Sequence, residues 1–259
     1  MEIVCYGCGR GENPENTIKG IHHCQSINPD WWVEMDIQIT KDQKLVLFHD
    51  YQTKRITGVN NKIHLLTLKE IQQLNAGYNF NVENEFIYRE NPIQIPTVEE
   101  VFQKFPKAKL LLDLHTNNLI AVTRLITLIK KYAMANQIII VSRYDEVISS
   151  FKKKRPKWRY GVPTKEAKKM IYSSFLYLDK LFPITSDILM LPKKAGKVNV
   201  LTKRVVKHVK KRNKTLWAWM YEGEIVETVD NEMELNEMKE LGVNGIFTGY
   251  PKKLMNELQ

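Results

Sequence analysis

Four acidic residues and two histidines, Glu34, Asp36, Asp50, Asp113, His49 and His115, carry the densest chemistry in this 259-residue chain. Glu34 and Asp36 stand two apart in WWVEMDIQIT. In an extended strand both side chains emerge on one face, and Val33, Met35 and Ile37 take the other. Two carboxylates so placed repel unless a cation lies between them. An all-oxygen donor set suits a divalent Mg²⁺ or Ca²⁺. Asp113, closing the apolar run KLLLD, offers a third carboxylate. His49 follows LVLF and precedes Asp50. Beside a metal it is a candidate general acid or base, because an unperturbed imidazole titrates near neutrality. A lone E-x-D is usually a half-exposed acidic strand face; the His-Asp pair a dozen residues on argues against that here.

Positioning these groups requires a scaffold that brings distant segments to one end. Short apolar runs alternate with amphipathic segments of helical length along the whole chain. Strands are expected at Ile3–Cys5, Val33–Ile37, Lys109–Asp113, Ile138–Val141, Trp158–Gly161, Ile188–Met190, Thr215–Trp219 and Gly245–Thr248. Helices are expected to start near Glu15, Thr97, Asn117, Tyr144, Thr164, Thr202 and Asp230. Eight such units predict an α/β fold of the (β/α)₈ TIM-barrel type, whose functional residues gather at the C-terminal strand ends. The second unit is irregular. Leu45–Phe48 adds a short strand, and the stretch 50–96, with a small helix over Leu68–Leu74, is an insertion expected to lie over the barrel mouth. No linker or repeat divides residues 1–259, so one barrel domain is expected.

The net charge is +10 and the pI about 9.3. An anionic partner follows, such as a phosphodiester or phospholipid headgroup. Basic runs at Lys152 to Arg155, Lys193-Lys194 and residues 207–214 are candidates for peripheral contact with a membrane surface, although charge runs are commonly solvated helix ends. They carry no interleaved aromatic platform, which argues against nucleic acid. Three cysteines do not make a disulfide framework. With no apolar leader and no run long enough to span a bilayer, a cytoplasmic location is expected.

The opening EIVCYGCGRGENPENT holds Cys5-x-x-Cys8 upstream of His22-His23-Cys24, the ingredients of a zinc site. Ile18, Ile21 and Cys24 recur at helical spacing, however, which makes Cys24 a core residue. Gly7-x-Gly9-x-Gly11 lacks the spacing of a phosphate-binding fingerprint, and no Gly-Lys-Ser/Thr follows.

NPENTIKGI, WWVEMDIQITKDQKLVLFHD, LLLDLHT, KTLWAWMY and LGVNGIFTGYP resemble, in register, the glycerophosphodiester phosphodiesterase family. The resemblance implies a metal-dependent barrel that cleaves a phosphodiester at an alcohol oxygen and releases glycerol 3-phosphate from deacylated phospholipids. It assigns Glu34, Asp36 and Asp113 to the metal and His49 to proton transfer. His115 falls where the family often has a lysine, and Trp219 where a tryptophan lines the pocket. Glu15, Arg10, His115 and Trp219 are the candidate substrate contacts. The departure is at the first strand, where the family has His-Arg-Gly. Counting back from Pro14 puts Cys5 at the histidine and Tyr6 at the arginine. Three readings follow. Cys5 titrates in the histidine's place; or Arg10 folds back to supply the missing charge, with His115 as a second proton carrier; or hydrolysis is largely lost and the barrel binds phosphorylated ligands or headgroups without turnover.

Overall fold

The computed structural model describes residues 1–176, 178 and 184–258. The chain opens with β1 (Glu2–Cys5), α1 (Ile18–Ile27), β2 (Trp32–Ile39) and β3 (Leu45–Leu47), then enters the insertion with α2 (Lys54–Thr57) and α3 (Leu68–Ile71). Next come α4 (Val98–Lys104), β4 (Lys109–Leu114), α5 (Leu119–Lys131), β5 (Ile138–Val141), α6 (Asp145–Lys154) and α7 (Thr164–Phe175). The last third holds β6 (Ile188–Ala195), β7 (Val198–Asn199), α8 (Lys203–Lys210), β8 (Thr215–Glu222), β9 (Val226–Glu227), α9 (Glu232–Leu241), β10 (Gly245–Thr248) and α10 (Pro251–Leu258).

Parallel pairing runs β5-β4-β2-β1-β10-β8-β6. The circle closes through Tyr160 and Gly161, which bridge in parallel to Ile140 of β5 and Ile188 of β6. The expected strand Trp158–Gly161 is therefore only two residues of pairing, because Trp158 N–H still turns back onto the Arg155 carbonyl. Several elements exceed the expectation, β2 at Trp32–Ile39 among them. β6 and β8 run on to Ala195 and Glu222, where β7 and β9 fold back as hairpins, and Pro251 starts an additional helix.

Strand alternation builds two layers. Val4, Trp32, Leu111, Ile139, Ile188, Trp217 and Phe247 come one from each of seven strands and fill the barrel interior. Ile3, Cys5, Val33, Met35 and Leu112, of opposite parity, belong to the larger core between sheet and helices. Trp217 anchors the interior; burying a side chain of that size is worth about 3–5 kcal/mol against alanine. Its indole N–H and that of Trp32 both donate to the Glu2 carboxylate, at 2.9 and 3.3 Å, so neither ring is buried with an idle donor.

The helices begin where local chemistry satisfies their first N–H groups. Thr17 accepts from Gly20 N–H at 3.1 Å, so α1 starts after Thr17 rather than at Glu15, and the segment 14–17 stays a loop. A Cβ on Gly20 would lie 2.5 Å from the Cys8 carbonyl, which explains glycine at that packing point. Thr97 and Glu100 form a reciprocal capping box on α4. The insertion has its own small core of Phe48, Ile56, Ile63, Ile71, Ala76 and Ile95, joined to the barrel through Val46. Among the described residues no helix is long and apolar enough to cross a membrane.

Candidate active site

The strand parity that puts Val4, Trp32, Leu111 and Trp217 inside the barrel delivers, two residues later, Tyr6, Glu34, Asp113 and Trp219 to its mouth. These four, with Asp36, His49 and His115, line a cavity of about 840 Å³. One oxygen each from Glu34, Asp36 and Asp113 lies within 4.8 Å of the others, and the same spacing groups Asp36 with His49 and His115. Strand register brings Asp36 beside Asp113 and Glu34 beside Leu111.

Each carboxylate is held individually. Gly7 N–H donates to Glu34 Oε2 at 2.6 Å, from a backbone with φ of 54° that a β-carbon would strain. Asn16 grips Asp36 twice, Nδ2 donating to Oδ2 at 2.8 Å and Oδ1 accepting from Asp36 N–H at 2.8 Å. His115 Nε2 sits between Asp36 Oδ1 at 3.0 Å and Asp113 Oδ2 at 3.2 Å. Asp113 Oδ1 is buried without a partner. That orphaned oxygen, in an all-carboxylate set, fits a hard divalent cation.

The charges are unequal. Burial, then the neighbouring Asp36 and Asp113, push the Glu34 carboxyl well above the usual range. Burial opposes ionisation of Asp36 too, but the His115 cation, with His49 and Asn16, outweighs it and holds the group down to about 2. Burial likewise opposes charge on His115, and Asp113 and Asp36 overcome it, lifting the imidazole to about 11. His115 therefore stays protonated and occupies, with one positive charge, part of the role a cation would take.

His49 is fixed from three sides. Asp50 Oδ1 lies 2.6 Å from its Nδ1. Its carbonyl faces His115 Nδ1 at 3.0 Å and accepts from Gln38 Nε2 at 3.3 Å. The two imidazole rings lie 4.6 Å apart between centroids. Because an ionised carboxylate only accepts, Nδ1 carries the proton and Nε2 is the nitrogen left for proton transfer.

Two sequence expectations are corrected. Cys5 is not a site residue. Its parity turns it outward into the sheet–helix core, fully buried, and its thiol is pushed well up by its hydrogen bond with Cys24 and by burial. The residue that reaches the cavity is Tyr6, one position past the end of β1. Burial, then Glu34, raises its phenol, so it stays protonated and is no base. Arg10 does not fold back onto the carboxylates: its guanidinium lies over the Tyr6 ring at 4.3 Å and donates to the Val226 carbonyl at 2.8 Å. Glu15 is engaged with Arg55 in a two-pronged ion pair. Trp219 does line the cavity, and its indole N–H is buried without a partner. Sequence reasoning missed Tyr6, Gly7, Asn16 and Arg55. Only the first was findable, by carrying the alternation of β1 one residue past its end.

The site is thus three carboxylates and two histidines at the C-terminal mouth of a parallel barrel. The chain belongs to the glycerophosphoryl diester phosphodiesterase family, whose model matches residues 8–253. A lysophospholipase D from Homo sapiens is 24% identical over 267 residues, covering 96% of this chain and 83% of the relative. A glycerophosphodiester phosphodiesterase of Caldanaerobacter subterraneus is 28% identical over 248 residues, covering 94% and 91%. The fold matches a glycerophosphoryl diester phosphodiesterase domain from Mycobacterium tuberculosis with a TM-score of 0.81 at 16% identity, covering 100% of this chain and 99% of that one. A phosphodiesterase from Oleispira antarctica, in complex with the product sn-glycerol-3-phosphate, matches with a TM-score of 0.77 at 20% identity, covering 100% and 96%.

Proposed function

We propose that this chain is a metal-dependent phosphodiester hydrolase, one barrel with the 50–96 segment over its mouth, acting on glycerophosphodiesters or lysophospholipids. The observation that carries the reading is the trio of buried Glu34 and Asp36 with partly buried Asp113 beside His49, with one Asp113 oxygen unpartnered. These three carboxylates would hold Mg²⁺ or Ca²⁺. Such an ion supplies charge neutralisation for phosphoryl oxygens. The remaining work falls to the chain. Protonated His115 adds positive charge beside the anion, and the free Trp219 indole N–H offers a donor to a substrate oxygen. His49 Nε2 moves the proton: hydrolysis replaces the phosphorus–alkoxy bond with one to a water oxygen, and the departing alcohol oxygen takes up a proton. The test is release of sn-glycerol 3-phosphate from glycerophosphocholine, or of lysophosphatidic acid from lysophosphatidylcholine, with and without chelator.

A second reading, a weakened barrel that binds phosphorylated ligands without turnover, is favoured by one observation. The turn just after β1 presents the protonated phenol of Tyr6 to the cavity, and neither the histidine nor the arginine of the His-Arg-Gly pattern stands there.

Metal binding should tighten as pH rises. The raised Glu34 carboxyl favours its proton in the metal-free site, and a bound cation disfavours that proton. Calorimetry in buffers of different ionisation enthalpy should show net proton release on Ca²⁺ or Mg²⁺ uptake; uptake without proton release contradicts the electrostatic account.

For peripheral membrane contact, support comes from the mouth as much as from the basic runs. Tyr172, Leu176 and Ile225 stand exposed on or beside α7 and the β8–β9 turn, with exposed Lys168, Lys169 and Lys197 nearby. Exposed aromatic and aliphatic groups beside lysines suit an anionic bilayer. Sedimentation with phosphatidylglycerol vesicles should be salt-sensitive and weakened at least several-fold by Leu176→Ser with Ile225→Ser; no binding, or binding the pair leaves unchanged, contradicts it.

A further inference from the structure

Glu15 was expected to touch substrate, yet both of its oxygens are engaged by Arg55 of the insertion, Oε2 by Nη1 at 2.8 Å and Oε1 by Nη2 at 2.7 Å. The adjoining edge of the same guanidinium, sharing Nη2, grips Asp50, Nε donating to Oδ2 at 2.6 Å and Nη2 to Oδ1 at 3.0 Å. Asp50 in turn orients His49 through Nδ1. A planar fork between two carboxylates fixes direction as well as distance, which a lysine ammonium does not. Arg55 is itself seated by Asn79, whose Nδ2 donates to the Arg55 carbonyl at 2.8 Å. The adjacent residue in the chain, Asn16, is the one that grips Asp36 from two directions.

We infer that Glu15 and Asn16 are a positioning pair that sets the two halves of the site against each other. Asn16 fixes the Asp36 carboxylate of the cation half. Glu15, acting through Arg55 and Asp50, fixes the imidazole of the proton-transfer half. One peptide unit therefore defines the spacing between the metal-binding carboxylates and His49 Nε2, and the insertion contributes its arginine as the strut. Arg55 is half exposed, and ion pairs of that exposure contribute little to stability. Its removal should thus appear in the orientation of His49 rather than in unfolding.

The inference rests on the hydrolase reading for its kinetic consequence but not for its geometric one, so the experiment reads both. The full chain is labelled with [¹⁵N]histidine, the His49 signals are identified by their loss in His49→Gln, and the neutral-imidazole tautomer is read by NMR. The parent should show the Nδ1–H form of His49. Arg55→Met should turn it into a mixture and lower kcat by about 10- to 100-fold with KM within about twofold, with an unchanged melting temperature. Glu15→Gln should lose less, Arg55→Lys should recover part of the loss, and Glu15→Gln with Arg55→Met should be no worse than Arg55→Met alone. Asn16→Ala should leave the His49 tautomer intact and weaken Ca²⁺ or Mg²⁺ binding, measured by calorimetry, by about 10-fold. An Arg55→Met protein that keeps the parental tautomer, losses at Glu15 and Arg55 that multiply, or an Asn16→Ala protein of parental metal affinity overturns the inference. The tautomer and the metal affinity are read without turnover, so a chain that hydrolyses no diester is still tested.

Discussion

Glu34→Gln should give a protein that is more stable than its parent without divalent cations and inactive with them. Glu34 is fully buried against two other carboxylates, and its carboxyl titrates well above the usual range for that reason. A carboxyl raised on folding favours the native state while it is protonated, and that advantage is lost as pH rises from the unfolded value through the folded one. Near neutrality the charged form is therefore a cost to the metal-free fold. A neutral amide removes the cost and can still accept from Gly7 N–H, which supports Glu34 at 2.6 Å. The expected gain is about 1 kcal/mol, within the range of stabilising changes at strained functional sites. The same change removes one of three carboxylates from the cation site and should lower kcat/KM on the order of 10³-fold, the scale of losing a principal electrostatic stabiliser. Thermal melts with chelator and kinetics with Mg²⁺ or Ca²⁺ check the two halves. A Glu34→Gln protein that is both less stable and fully active contradicts the electrostatic reading of the trio.

The second large effect is expected at Tyr6. Replacing Cys5 by histidine, the change the sequence alone suggests, would force an imidazole into the sealed layer where Cys5 meets Cys24. Overpacking of that kind costs about 1–3 kcal/mol and brings no group nearer the cavity. Tyr6→His instead puts a titratable ring at the mouth, on the strand end that already points there. If the natural chain lacks an acid–base partner for His49, this substitution should raise kcat on the order of 10²-fold, the value of one positioned proton carrier. A fall in kcat of similar size would mean that the protonated phenol is itself a working donor, and the weakened-barrel reading would then be wrong.

The fold was legible because its signal is repetitive. Eight apolar runs separated by amphipathic segments already imply a parallel barrel, and β5 and β10 lie at their expected bounds. What periodicity did not carry was the β7 and β9 hairpins, two-residue strands whose pairing depends on neighbours. The site was legible where chemistry follows parity. Glu34 and Asp36 share a face, and Asp113 joins them through register with β2. It was illegible at Cys5, because counting residues back from Pro14 ignores which side of β1 each one faces. Nor did sequence reveal that Glu15, a candidate substrate contact, pairs instead with Arg55, 40 positions further along the chain, or that Asn16 grips Asp36. Their residue types are ordinary; their geometry is not encoded in any local pattern.

The most direct test of the central claim is a chelator-reversible hydrolysis assay on the purified chain. Glycerophosphocholine is incubated with high enzyme concentration, and sn-glycerol 3-phosphate is measured with EDTA, then after restoring Mg²⁺ or Ca²⁺, for the parent and for Asp36→Asn. A site built from Glu34, Asp36, Asp113 and His49 predicts release that EDTA abolishes, that the divalent ion restores, and that Asp36→Asn does not show. Release that persists in EDTA, or that survives Asp36→Asn unchanged, would contradict it.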